Sequence, residues 1–508
     1  MNSPTDVPAA LDHTVAGGSS YAVLAAVCLA ALILPLTFVG VAVATPAIGR
    51  ELGGGPLALS WITNAFMLSF GSALMAAGTL ADEYGRKRVF SLGVGLFALT
   101  SLALAFAPSV LWLDLLRAVQ GLAGAAALAG GSAALAQAFE GPARTRAFSL
   151  LGTTFGVGLA FGPILAGVLI EAYGWRSIFV SGTLIGALSL LFGVPRMPES
   201  RDPDAAGVDW PGTLSFTAAL VALTWGILQA PQSGWGSPLV WGLLLVALLA
   251  LLLFIVVELR VKRPMLDLSL FRYPRFVGVQ LLPIATCYCF VVLLILLPIR
   301  FIGVEGYSEI DAGLMMIALS APMVVVVPLL AAWLTRWFGA GTLSSVGLVI
   351  AALGLYLLSR IAPGQAPAAN VLPMLLIGFG AGLPWGLMDG LSVSVVPKER
   401  AGMATGIFST TRVAGEGIAL ALVVALLAGL LQLSMAAALP EHPQLSLAAQ
   451  QLASGNLQAS VALLPELGRE LLLGLYAKAF TWLLYALIAI TLVAALVVRL
   501  MLHEPRRT

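Results

Sequence analysis

The chain has 508 residues, of which 60% are hydrophobic and only 10% charged, with a formal net charge of +2. Soluble domains carry roughly 25% charged residues, so this composition excludes a soluble enzyme or a nucleic-acid binder. A mean hydropathy of +1.00 describes a polytopic membrane protein.

Residues 1–20 precede the first apolar run without a basic n-region, and read as a cytoplasmic tail rather than a cleaved leader. A helix needs about 20 apolar residues to cross the hydrocarbon core. Runs of that length lie at 21–48, 58–81, 88–107, 109–138, 146–171, 176–194, 211–230, 238–258, 276–300, 312–334, 341–360, 370–395, 402–431 and 477–500. They predict an all-α polytopic fold with fourteen transmembrane helices. The connector 196–209 is unremarkable, and the outer loop 432–475 is expected to be an idle connector with a short surface helix over 463–475. Residues 501–508 form a second cytoplasmic tail.

Charge placement tests this layout. With the N-terminus inside, most of the 26 Lys and Arg fall in inner loops, among them Arg86, Lys87, Arg88, Arg144, Arg146, Lys262, Arg263, Lys398, Arg400, Arg506 and Arg507. Arg50, Arg176, Arg300, Arg360, Arg469 and Lys478 fall outside. That bias follows the positive-inside rule for an even number of spans with both termini in the cytoplasm. Cys28, Cys287 and Cys289 lie in spans, where thiols behave as small hydrophobes. His13, His442 and His503 lie outside the membrane, so neither a metal cluster nor a histidine relay is expected within it. No Gly-rich, Lys-containing nucleotide loop is present.

Three stretches carry more than hydropathy. Between the second and third runs stands Gly78-Thr-Leu-Ala-Asp82-Glu-Tyr-Gly85-Arg86-Lys-Arg88. Gly78 and Gly85 permit close helix approach and a tight turn. Asp82 can accept from helix N-terminal amides across a bundle interface, or pair with Arg86 or Arg88. The fourth run holds Leu115-Leu-Arg117-Ala-Val-Gln120-Gly121. The fifth holds Gly158-Leu-Ala-Phe-Gly162-Pro163-Ile-Leu-Ala-Gly167, a smooth face whose proline removes one intrahelical donor. The chain also repeats itself: Leu80-Ala-Asp-Glu-Tyr-Gly85 recurs as Leu334-Thr-Arg-Trp-Phe-Gly339, and Arg146 has its echo in Arg400, both 254 residues on.

In this order and on these runs, the three motifs and the repeat resemble the major facilitator superfamily. The fourteen runs, with the connector Glu258-Leu-Arg-Val-Lys-Arg-Pro-Met-Leu-Asp-Leu-Ser-Leu-Phe271, are similar to its fourteen-span drug:proton antiporter family. The resemblance implies a bundle of six helices over 21–195 and a second over 276–500. Between them lies an insertion at 196–275 whose two extra helices are near 211–230 and 238–258. It further implies export of a lipophilic small molecule from the cytoplasm or inner leaflet against proton entry, with no cofactor beyond the proton gradient. The expected partners are that substrate, protons and membrane lipids, without nucleic acid. A monomer is expected, since each chain holds both bundles, and a homodimer is left open. An enzyme or an inert scaffold has no supporting constellation. A dedicated exporter of one metabolite, neutral or anionic, is the alternative.

Charged residues inside spans mark a path or relay, because hydrocarbon tolerates them poorly. They are Asp114, Arg117, Asp389, Arg412 and Glu416. Spacing lets Asp114 pair with Arg117, and Arg412 with Glu416. Asp389 stands among Gly380, Gly382, Pro384 and Gly386, which suggests a locally opened helix. The related antiporters place an Asp in the first span, where this chain has Thr37. Coupling is therefore expected mainly through Asp389 and Glu416 in the second bundle. Phe66 and Trp385 are the aromatic candidates for a substrate cavity.

Overall fold

A computed structural model describes residues 18–139, 141–201, 207–261, 264, 266–395, 401–440 and 442–502. The expectations for most of the two tails, and for Lys262, Arg263, Lys398, Arg400, Arg506, Arg507, His13 and His503, lie outside those residues. The described chain is helical and contains no strand. Its long rods are α1 (Gly18–Leu52), α2 (Pro56–Tyr84), α3 (Arg86–Ala105), α4 (Val110–Ala138), α5 (Gly141–Tyr173) and α6 (Arg176–Arg196). Then come α7 (Trp210–Ser233), α8 (Pro238–Arg260) and α9 (Pro274–Val304). The next rod, α10, starts as Glu309–Val325 and runs on through Val326–Ala331 and Ala332–Leu334. The last are α11 (Ala340–Ser359), α12 (Ala368–Ser394), α13 (Ala401–Ala436) and α14 (Gly468–Met501).

Twelve of these are long and apolar enough to cross a membrane, and α5 makes a thirteenth when its two pieces, bent by 42°, count as one span. The bend falls between Leu159 and Phe161, where Pro163 cannot donate to the Leu159 carbonyl. The regular part of α10 is only 17 residues long.

Local chemistry sets the ends. Prolines open α2, α8 and α9, where a missing N–H costs nothing. The Asp209 carboxylate caps α7 by accepting from the Gly212 N–H, and the Ser308 hydroxyl caps α10 by accepting from the Asp311 N–H. At Gly85, φ is 113°, a turn that only glycine makes without strain, so α2 stops and α3 starts within one residue.

The helices alternate direction, so α2, α4, α10 and α12 end on the face that carries Arg86, while α1, α5, α9 and α13 end on the face that carries Arg50. Helices α1–α6 pack among themselves, with α4 against α2 and α3, and α1 against α5. Helices α9–α14 do the same around α11, α12 and α14. The groups meet along two seams, α2 on α13 and α5 on α10, with α1 also touching α9. The inserted α7 pairs with α8 and lies on both α2 and α13, covering one seam, while α8 leaves most of its apolar surface outward.

Several local expectations are corrected. The helix around Asp389 is not opened: α12 runs unbroken through Pro373 and Pro384. Gly380 and Gly382 serve close packing instead: Gly380 abuts the backbone of Gly347 and Ala351 in α11, and a Cβ at Gly382 would stand 2.9 Å from Val326 of α10. The irregular turns lie elsewhere, as π turns at Ser189–Gly193 in α6, Cys287–Val291 and Ile299–Val304 in α9 and Val326–Ala331 in α10. Gly78 has open space around it and mediates no close approach. In the loop 432–475 the short helices are Leu445–Ala453 and Leu457–Leu463, and 468–475 is already the first part of α14. This loop is a packed cap. Leu445, Ala448, Ala449 and Leu452 are buried, and the Pro231 carbonyl at the end of α7 accepts from Ser446 Oγ (3.0 Å) and Gln450 Nε2 (3.1 Å).

Candidate functional site between the two halves

Small residues bring the halves into backbone contact. A Cβ at Gly71 of α2 would stand 2.9 Å from the Ala414 nitrogen of α13, and one at Gly313 of α10 would stand 2.9 Å from the Pro163 carbonyl. The glycines of the α5 motif divide their work. Gly158 fits against Pro35 and Leu32 of α1, Gly162 makes ordinary contact with Val39, and Gly167 abuts the Glu309 carbonyl of α10. Beside that last contact, Arg50 Nη2 meets Glu309 Oε1 at 2.9 Å, an ion pair from one half to the other. The seam is thus closed at the Arg50 face. Toward the Arg86 face, Gly152, Gly390 and Gly406 have nothing near them and Asp389 is exposed.

At the end of that opening sit three of the predicted charges, and their pairing differs from the expected one. Arg412 does not reach Glu416 on its own helix. Its Nη1 meets Asp389 Oδ1 of α12 at 3.4 Å. The guanidinium lies 5.7 Å from the Phe155 ring of α5 and 5.8 Å from that of Phe408, so it touches both halves. The i, i+4 rule considers one helix alone, and here a partner on the next helix wins. Glu416 is left half-buried, with no ion pair or hydrogen bond to its carboxylate among the described residues. Its backbone carbonyl lies 4.0 Å from the Cys287 sulfur, at the π turn of α9. π turns are frequent at functional sites.

Arg117 is held differently. It is completely buried, with Nε donating to the Ile62 carbonyl of α2 (2.9 Å) and Nη1 to Gln120 Oε1 (2.6 Å). Gln120 Nε2 in turn donates to Ser101 Oγ of α3 (2.6 Å). The cation lies 4.2 Å from the centre of the Phe66 ring. Asp114, on the same helix, makes no ion pair with it: Asp114 Oδ1 and Arg117 Nη2 both lack a hydrogen-bond partner. Arg117 therefore ties α2, α3 and α4 together. Phe66 and Trp385, the expected cavity aromatics, are buried at 2% and 4% exposure. Phe66 stacks on Phe70 and Trp385 meets Phe290 edge-on, so both fill the core. Thr37 is likewise buried, its hydroxyl donating to the Ile33 carbonyl and facing Gly182 of α6 rather than the opening.

In the α2–α3 turn, Asp82 Oδ1 accepts from Arg86 Nη2 at 2.9 Å and from Arg86 Nε at 3.1 Å, while Arg86 Nη1 donates to Gln137 Oε1 of α4 at 2.8 Å. Arg88 turns to Glu199 instead (3.7 Å), and Glu199 also accepts from the Lys87 N–H. These bonds stay within the first half. Of the two roles open to Asp82, the pair with Arg86 is the one formed, and the bond across the bundle interface is absent among the described residues.

One buried pair has no counterpart among the sequence expectations. Arg300, expected in an outer loop, is buried within the last turn of α9 and pairs with the equally buried Glu305 at 2.6 Å. It also donates to the Ile361 carbonyl (3.2 Å) and lies over the Phe480 ring (4.9 Å). The signal was available: an Arg and a Glu five residues apart at the end of a long apolar run, with no loop residues between them.

Comparison with known proteins accords with this geometry. The Major Facilitator Superfamily profile matches residues 27–420. The chain belongs to that superfamily. It is a multi-pass membrane transporter, not an enzyme. The multidrug resistance protein Stp of Mycobacterium tuberculosis is 34% identical over 395 residues, covering 77% of this chain and 73% of Stp. The cephamycin export protein CmcT of Amycolatopsis lactamdurans is 36% identical, covering 76% of this chain and 80% of CmcT. The tetracenomycin C resistance and export protein of Streptomyces glaucescens is 29% identical over 83% of this chain and 79% of its own. Among solved structures, an inward-facing bacterial homologue of the lysosomal transporter Spinster superposes with a TM-score of 0.64, covering 96% of this chain and 98% of its own at 16% identity. That likeness concerns the fold alone.

Proposed function

We propose that this transporter exports amphipathic small molecules of the drug or antibiotic type across the cytoplasmic membrane in exchange for protons. In this reading it is a fourteen-span drug:proton antiporter with both termini in the cytoplasm. The named relatives that resist or export drugs and antibiotics support the direction and the substrate class. The observation that carries the coupling is the carboxylate of Glu416, unpaired beside an Asp389–Arg412 pair where α13 meets its neighbours. An acid in no contact ion pair, in a region that alternates between wet and packed, has two protonation states whose balance shifts with the conformation. The opening toward the Arg86 face and the Arg50–Glu309 closure opposite are the two ends of an alternating-access cycle.

The test is proton movement on addition of cationic, neutral and anionic lipophiles to proteoliposomes. Substrate-driven proton release by the wild type, lost in Glu416→Gln and weakened in Asp389→Asn, is the expected result. Transport insensitive to a proton gradient in all three proteins would overturn it.

A second reading, a dedicated exporter of one neutral or anionic metabolite, is favoured by Thr37. It leaves the first apolar run, 21–48, without an acid, and its side chain turns away from the opening. Response to a single non-cationic compound in the same screen would select it.

A further inference from the structure

The second copy of the α2–α3 turn has lost its acid and gained aromatic rings. Leu334-Thr-Arg336-Trp337-Phe338-Gly339 follows Trp333, and Trp333, Trp337 and Phe338 are 49%, 58% and 52% exposed. The two indoles meet edge to face at 4.3 Å. The turn does not stand alone. Leu502, at the end of α14, packs under Gly341 at the start of α11 and under Gly278 near the start of α9. Three helix ends therefore share one corner of the Arg86 face.

This corner presents Arg272, Arg275, Arg336 and Arg499, all exposed, with Tyr273 beside them. Asp267, Arg275 and Arg499 have partners of their own, and Asp267 also accepts from the Ser269 N–H, so the charge at issue is that of Arg272 and Arg336. Arg272 and Arg336 form no ion pair among the described residues. In the first half, by contrast, Arg86 and Arg88 are matched by Asp82 and Glu199.

We propose that this corner binds the headgroups of anionic phospholipid. The charge asks for an anion, and the rings say which kind. Tryptophan and tyrosine settle at the level where a span leaves the hydrocarbon core, and α9, α10, α11 and α14 all begin or end here. A soluble anion or an acidic peptide has no use for exposed indoles at that depth. The second half is held to the bilayer at this corner, while the matching turn of the first half is held to its own helices.

The test is native mass spectrometry of the purified full chain released from mixed micelles of phosphatidylglycerol and phosphatidylcholine in equal amounts. The wild type is expected to retain phosphatidylglycerol preferentially. Each of Arg272→Gln and Arg336→Gln should lower that preference about fivefold. Arg360→Gln, on the opposite face, should leave it unchanged. A preference indifferent to both corner substitutions, or equally reduced by Arg360→Gln, overturns the proposal, as does equal retention of the two lipids by the wild type. Quenching by brominated phosphatidylglycerol supplies an independent readout. The fraction of tryptophan emission quenched should fall in Trp333→Phe/Trp337→Phe, and no fall also overturns it.

Discussion

Arg117 and Arg412 both lie within spans of this transporter, one in each half, and they are held in opposite ways. Arg117 is sealed: a backbone carbonyl, a glutamine and an aromatic face surround it, and no solvent reaches it. Arg412 keeps one long bond of 3.4 Å to Asp389, whose side chain is 58% exposed, and otherwise rests near two rings, one of them from the opposite half. A buried ion bonded through Nε and Nη1 to two helices defines a rigid body. An ion with one loose partner at a seam has alternatives. The first arrangement assembles α2, α3 and α4 as a unit, and the second sits where units move relative to each other.

The sharpest way to break this contrast is to remove each cation. Arg117→Ala orphans the Ile62 carbonyl and one end of Gln120. It should destabilise the first half by on the order of 2–6 kcal/mol, at about 1–3 kcal/mol for each of the two buried acceptors left unmatched. Loss of monodisperse protein on mild heating would report this. Arg117→Lys should rescue little, because an ammonium cannot serve a carbonyl, an amide and a ring face in one plane. Arg412→Ala should leave thermal stability within about 1 kcal/mol, because the partner it leaves, Asp389, is 58% exposed and can take water instead, yet abolish substrate-driven proton exchange. If both substitutions unfold the protein equally, the distinction between a structural and a working arginine fails.

The second prediction separates the two acids near Arg412. Glu416→Gln keeps shape and removes the titration, so active export should fall while energy-independent binding of substrate persists. Asp389→Asn should do less, because the pair it breaks is long and partly wet. Measuring exchange and binding on the same preparations distinguishes the two. An equal loss in both would mean that Asp389 and Glu416 act as one coupled unit.

These distinctions mark what was legible in the sequence. Twelve of the fourteen expected spans, and a thirteenth if the bent α5 counts as one, were readable because length and hydropathy report directly on the bilayer, and the positions of Arg117, Asp389, Arg412 and Glu416 followed from the cost of charge in hydrocarbon. Pairing was not readable. Helical spacing matched Arg412 with Glu416, whereas the fold supplied Asp389 from the adjacent helix. Gly380 and Gly382 before Asp389 looked like breakers and proved to be contact surfaces for α11 and α10, because composition does not say whether a glycine bends a helix or admits a neighbour. Arg300 reads as a loop residue because a charge normally ends a span. Its π turn instead carries the helix onward to Glu305.

Smaller effects are expected at the Arg50 face, where the closure is polar and exposed. Arg50 is 63% exposed in its pair with Glu309, so the bond contributes about 0.2–1 kcal/mol to the closed form. Arg50→Glu replaces attraction by repulsion and should shift the population toward opening at this face by a few fold. A thiol-reactive probe at a cysteine introduced in place of Gly167 would be too disruptive, since Gly167 abuts the Glu309 carbonyl. A cysteine at Gly53, which has nothing within 4 Å, is tolerable in space but strained by its φ of 69°. Ala58, in the first turn of α2, is a better probe site because it is half-buried and helical. Labelling of Ala58→Cys should be faster in the Arg50→Glu background and return to its original rate when Glu309→Arg is added. Restoration by the double reversal is the decisive result, because only a direct interaction between the two charges is repaired by exchanging them.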